Sequence, residues 1–337
     1  MNELIQTLVE AYGPSGFEDS VRKLIRPEVE PYADSITVDA LGNLIAFKEG
    51  TADSDKRLKV MVAAHMDEIG LMVTHITEDG FLRFTNIGGI RRQTLLGSRV
   101  RFGNGTIGVI YSDRIENANQ VHPLDKHFID VGATSPQDCP VSVGDAAVFI
   151  RPFLTQNGRL IAKSMDDRIG CAVAIETLRR LDNSLESSPH DCYFVFSVQE
   201  EVGTRGAQTA ANRINPDVGI ALDVTTTGDI PESPPMAVSL GKGAAIKVKD
   251  SGMISHPGLV RLMRERAVEG GILHQMEVLD GGTTDARPIQ IANAGCAAGC
   301  ISIPCRYVHS QSEMVDAADV ESCVALLTAV LANEIDF

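Results

Sequence analysis

Long hydrophobic runs are missing from this 337-residue chain. No stretch reaches the ~20 apolar residues that carry a helix across a bilayer, so no membrane partner is expected. Basic charge is scarce: 30 Lys and Arg stand against 45 Asp and Glu, a formal net charge of −15. Phosphate backbones are gripped by clustered Lys and Arg, which excludes a nucleic-acid partner from the reading. Cysteine pairs are missing too; the seven cysteines are odd in number and contain no CxxC motif. The opening MNELIQTLVEAY reads as a short amphipathic helix, without the basic, apolar and small-residue zones of an export signal. Reduced thiols and a cytoplasmic location are therefore expected. Cys296, Cys300 and Cys305, in NAGCAAGCISIPC, read as small buried residues rather than metal ligands. The chain has no internal repeat and no low-complexity tract.

What is present is enough apolar material, 44% of residues, for a sizeable core. The length suggests one large domain plus a smaller one or an insertion. Ser15 and Glu18 in GPSGFED have capping-box spacing before a helix over Asp19–Val29. SITVDALGNLIAF reads as two strands around a Gly-Asn turn. KVMVAAH, CYFVFSVQ and VGIALDV are continuous apolar strands suited to a sheet buried on both faces. IAKSMDDRIGCAVAIETLRRL, LVRLMRERAVEGG and DAADVESCVALLTAVLANEI follow the helical period, the last starting at Asp316 or Asp319. GCISIP is a late strand. Between about Gly70 and Arg159 the texture changes to short alternating runs rich in Gly, Val and Ile, such as RVRFGNGTIGVI. The expectation is an α/β main domain over residues 1–69 and 160–337, interrupted by a small all-β insert over 70–159.

Three of the apolar strands end in chemistry. KVMVAAH ends at His65, with Asp67 two residues on. CYFVFSVQ runs into Glu200 and Glu201, and VGIALDV reaches Asp223. Open α/β sheets place ligands beyond the carboxyl ends of parallel strands, so these groups converge if the strands are parallel neighbours. Asp166 and Asp167 at a helix start can join them, as can His309 after the last strand. Taken singly, each has a plainer reading: a hydrogen-bonded histidine, a solvated loop, a helix cap. Together they place six carboxylates side by side, which cannot all ionise without compensating charge. Two histidines and several carboxylates suit zinc, cobalt or manganese, and so many ligands suit a pair of ions sharing one carboxylate. A doubled glutamate then has a use: one carboxylate binds metal while its neighbour stays free as a general base. His75, His122, His127, His190, His256 and His274 lack such company, and HPLDKH reads as a surface turn. The Gly pair of GGTTDA permits close backbone approach, so Thr283, Thr284 and Asp285 are candidates for substrate positioning.

The stretches YGPSGFED, AAHMDEIGLMV, SMDDRIGC, QEEVGTRGA, ALDVTTTGD, GKGAAIKVKD, GGTTDA and RYVHSQSEM run from Tyr12 to Met314. In that order they resemble the glutamyl-aminopeptidase and tetrahedral (TET) aminopeptidase family of di-metal peptidases, some of whose members carry an endoglucanase label. The resemblance implies a di-metal exopeptidase-like α/β/α catalytic domain with an inserted PDZ-like dimerisation domain. It implies that His65 and Asp223 bind one metal, Glu201 and His309 the other, and that Asp166 bridges both. Asp67 orients the first metal site, Glu200 is the general base, and the Asp166–Asp167 peptide is cis. Two divalent ions per subunit, zinc, cobalt or manganese, follow from it. So does a homo-oligomer in which dimers build a hollow dodecamer.

The activity expected is metal-dependent removal of N-terminal residues from short peptides, through a water activated by the two metals with Glu200 as base. A glycoside hydrolase is the rival from another class. It needs two carboxylates flanking the bond and no metal, whereas here histidines join the acidic cluster. A di-metal deacylase or dipeptidase is the nearer rival, and an inactive binding protein would need a lost ligand or base, of which there is none.

Overall fold

Side chains alternate across a strand, so a strand apolar at every position must be covered on both faces. The computed structural model, which describes residues 1–114, 121–182 and 186–337, shows how that demand is met. Helices α1 (Asn2–Glu10) and α2 (Asp19–Val29) open the chain. Strands β1 (Ser35–Val38) and β2 (Leu44–Lys48) form an antiparallel hairpin, and β3 (Lys59–His65) follows. Next come β4 (Gly70–Ile76), β5 (Leu82–Ile87), β6 (Arg99–Phe102), β7 (Ile107–Ser112), β8 (His127–Asp130) and β9 (Ala146–Phe149). The chain then returns through β10 (Leu154–Gln156), β11 (Arg159–Ala162), α3 (Met165–Leu181), β12 (Asp191–Ser197), α4 (Arg205–Ile214) and β13 (Val218–Thr225). It closes with β14 (Ala244–Lys249), α5 (Pro257–Glu269), β15 (His274–Val278), α6 (Ala286–Gln290), β16 (Ala297–Arg306), β17 (Glu313–Asp316) and α7 (Ala317–Leu331).

The large sheet has the order β1-β2-β12-β3-β13-β16-β17-β11-β10, with β14 and β15 branching from β16. Its centre, β12-β3-β13-β16, is parallel. Val60, Val62 and Ala64 of β3 share one core with Ile5, Ile25, Ile169 and Val324 from α1, α2, α3 and α7. Met61 and Ala63, between them, face Ala207, Ala210 and Ile289 from α4 and α6. The result is an α/β/α sandwich. β4 through β9 close a separate barrel with its own core of Leu71, Phe84, Val100, Phe102 and Ile110. β10 lies within residues 70–159, yet it pairs with β11 in the large sheet.

Two local expectations fail. No capping box forms at α2: Ser15 Oγ donates to Asp67 Oδ2 at 2.6 Å, and Glu18 Oε1 accepts from the Gly16 and Gln199 amides. Buried acceptors and amides from elsewhere in the fold outcompete the local cap. HPLDKH is not a plain surface turn either. His127 is buried, and its Nδ1 lies 3.0 Å from Pro123 O. Asp316 caps α7, accepting from the Ala318 amide. Among the described residues no helix is long and apolar enough to cross a membrane.

Candidate active site

The parallel register brings the strand ends together. His65 at the end of β3 pairs with Ser197 at the end of β12, so Glu200 and Glu201 emerge beside it. Asp223 lies near the end of β13. Asp166 and Asp167 open α3 and are joined by a cis peptide, as the resemblance implies. His309 follows β16 in a left-handed conformation, φ 61°.

Asp166 is the meeting point. Its Oδ1 lies 3.0 Å from His65 Nε2, and its Oδ2 lies 3.3 Å from His309 Nε2. Glu201 Oε2 is also 3.3 Å from His309 Nε2. Two trios that could each hold a metal ion result, His65–Asp166–Asp223 and Asp166–Glu201–His309, each with its nitrogen and oxygen atoms within 4.8 Å of one another. Glu200 belongs to neither trio; its Oε2 lies 4.0 Å from His65 Nε2. Asp67 is buried beneath the pair. Its Oδ1 accepts from the Glu200 amide at 3.0 Å and its Oδ2 from the Glu201 amide at 3.1 Å. His65 Nδ1 faces the Asp67 carbonyl at 3.1 Å, which leaves Nε2 toward the cleft. Asp167 Oδ2 accepts from the His65 amide.

The electrostatics ask for positive charge. Burial pushes the Glu200 and Asp223 carboxyls well above the usual carboxylate range, with His65 opposing and neighbouring carboxylates adding. Burial also raises Glu201. Burial works against the His309 imidazolium, but hydrogen bonds to Asp166 and Glu201 overcome it and lift the pKa to about 11. His65 is held well above its ordinary value in the same way: burial opposes, and Asp166 and Asp67 prevail. Asp166, despite burial, is kept below the usual range by the two histidines. The raised carboxyl pKa values mark an excess of negative charge at one spot, which a divalent ion would balance. Glu201 Oε1, buried and without a hydrogen-bond partner, is a further unmet demand. The residues therefore fit bound metal, with nitrogen and oxygen donors.

The cleft above the trios is a cavity of about 550 Å³, of the size that small ligands occupy. Thr283 and Thr284 line it. Asp285 does not: it is buried behind the wall, where its Oδ2 accepts from Ser197 Oγ, and burial raises its pKa to about 6. Several contributors were not singled out from the sequence. Glu313 is buried; its Oε1 accepts from the His309 amide at 2.7 Å and its Oε2 from the Asp166 amide at 3.0 Å. Burial and the Asp166 charge lift its pKa to about 8. Lys247 lines the cleft and is paired with buried Glu277; a lysine inside the apolar run AAIKVK was the available signal. Gly89 sits so close to the second trio that a Cβ there would lie 2.5 Å from His309 Nδ1.

Solved structures with this fold include several described as aminopeptidases and two that carry an endoglucanase label. An aminopeptidase from the archaeon Desulfurococcus kamchatkensis superposes with a TM-score of 0.92 at 39% identity, covering 99% of this chain and 94% of its own. The TET1 peptidase of Pyrococcus horikoshii, described as able to assemble into a tetrahedron or a large octahedral shell, gives 0.88 at 34% identity and 98% of both chains. Fold and relatives define the class: an aminopeptidase, a hydrolase of peptide bonds. Within it, the chain belongs to the M42 glutamyl aminopeptidase family, whose model matches residues 42–326. The lysyl aminopeptidase of Pyrococcus furiosus is 38% identical over 344 residues, 98% of this chain and 96% of its own.

Proposed function

We propose that this aminopeptidase works with two divalent ions shared through Asp166 and with Glu200 as general base, releasing N-terminal residues from short peptides. The carrying observation is that Asp166 turns one oxygen to each histidine, while Glu200 stands beside His65 and belongs to neither trio. His65 and Asp223 would hold one ion, Glu201 and His309 the other; zinc, cobalt and manganese all suit such donors. When bound, the ions polarise the scissile carbonyl and lower the pKa of water toward neutrality. Glu200 takes the proton of the attacking water and delivers it to the leaving amine. Asp67 fixes the Glu200 and Glu201 amides and the orientation of His65. Thr283 and Thr284 position the substrate along the cleft wall.

In this reading residues 1–69 and 160–337 are the catalytic unit, residues 70–159 pair subunits into dimers, and dimers build a dodecameric cage in the cytoplasm. Exposed Ile107, Val109 and Tyr111 on one face of β7 support a pairing role, as do the assemblies described for the Pyrococcus horikoshii relative.

The division of labour is tested by two isosteric variants. Glu200→Gln should lower turnover by roughly a hundredfold or more with metal content near normal, the usual scale of general-base catalysis. Glu201→Gln should instead lose one ion. Equal turnover loss with the same ion missing in both would refute the assignment.

A further inference from the structure

The turn that carries Glu200 is held by side chains from far away in the sequence. Its carbonyls are taken locally: Val198 O accepts from the Gly206 amide, Gln199 O from Arg205, and Glu200 O from Gly203 and Thr204. Its four successive amides have no backbone partner of that kind. Val198 N–H donates to Asn43 Oδ1 at 3.0 Å, and Gln199 N–H to Glu18 Oε1 at 3.1 Å. Glu200 N–H and Glu201 N–H donate to the two oxygens of Asp67 at 3.0 and 3.1 Å. Glu18 and Asn43 are buried. Glu18 Oε1 is fixed in turn by the Gly16 amide at 2.7 Å.

Gln199 is the link that needs holding. It sits at φ 56°, a left-handed conformation that a residue with a Cβ adopts only when its surroundings impose it. The residue after it is Glu200, so relaxation of Gln199 would swing the carboxylate away from the trios. Misplacement of a reacting group by about 1 Å can cost up to a hundredfold in rate.

We propose that Glu18 is a positioning residue for Glu200, acting by locking the Gln199 amide. The proposal rests on the reading of Glu200 as the base. Among the described residues only Oε1 of Glu18 accepts these amides, so a glutamine can replace it, whereas a methionine of similar length offers no comparable acceptor. Glu18→Met should therefore lower kcat by roughly tenfold or more, with KM and the content of both metals within about twofold of the parent. Glu18→Gln should recover most of the turnover. Hydrogen exchange at the Gln199 amide should speed up in Glu18→Met and stay slow in Glu18→Gln. A purely structural role would spread the loss over KM, metal content and stability. Equal turnover and exchange in the two variants would overturn the proposal, as would a Glu18→Met defect confined to KM or metal content. Glu200→Gln is measured alongside. If it keeps full turnover, the base assignment fails and this proposal with it. If Glu200→Gln is impaired while Glu18→Met is not, only the role of Glu18 fails.

Discussion

Asp166 is surrounded by histidines and carboxyls whose pKa values are raised, and a metal ion bound among them would displace their protons. Hydrogen bonds to Asp166 and Glu201 outweigh burial and raise the His309 pKa to about 11. Burial raises Glu201 and Asp223. A metal ion binds neutral imidazole and ionised carboxylate, so loading must expel these protons. The metal-free state therefore holds more protons than the loaded state near pH 8, and apparent metal affinity should rise with pH. Calorimetric titration in two buffers of different ionisation enthalpy should give different apparent heats, with protons released. Heats independent of buffer would show that the ligands were already deprotonated. Most of this cluster was legible in the sequence, because His65, Glu200, Glu201 and Asp223 each stand at or near the end of an apolar strand. Glu313 was not: its importance comes from reaching the amides of both Asp166 and His309, and Asp166 lies 147 residues away.

At the scale of elements, the site is only as rigid as the strands beneath it. Phe194 and Phe196 of β12 are fully buried, and burial of such a ring contributes about 1.5–3 kcal/mol. These strands could be read directly, since their central positions form nearly unbroken apolar runs. The barrel's part in the site could not. Its 88–98 segment buttresses the His309 loop: Arg91 Nε donates to Val308 O at 2.9 Å, and Gln311 Nε2 to Thr94 O at 2.7 Å. Gly89 leaves room for the imidazole, since a Cβ there would lie 2.5 Å from Nδ1. If Asp166, Glu201 and His309 hold an ion as proposed, Gly89→Ala should push His309 aside and weaken that ion by roughly tenfold or more, the scale of losing a supporting contact to a ligand, and spare an ion held at His65 and Asp223. Metal analysis after dialysis would check this; loss of both ions alike would mean that the loop does not act through His309.

At the scale of the whole molecule, the barrel enters directly behind the catalytic strands, with β4 starting at Gly70, five residues after β3 ends at His65. The change of texture after Gly70 was visible in the sequence. The placement of β10 was not, because Leu154–Gln156 is exposed and too short to show a pattern. If the barrel pairs subunits, light scattering should report a particle of about twelve chains, or a dimer where metal is stripped, by the mass-action link between ligand and assembly. A strict monomer in both states, fully active, would assign the barrel another task.

The central claim is that two ions shared through Asp166 make this chain an aminopeptidase. It is tested most directly by stripping the protein with a chelator and returning zinc, cobalt or manganese stepwise while following cleavage of a short peptide. The account predicts no activity in the stripped protein and a rise that saturates at two equivalents per chain. Full activity in rigorously metal-free protein, or saturation at a single equivalent, would contradict it.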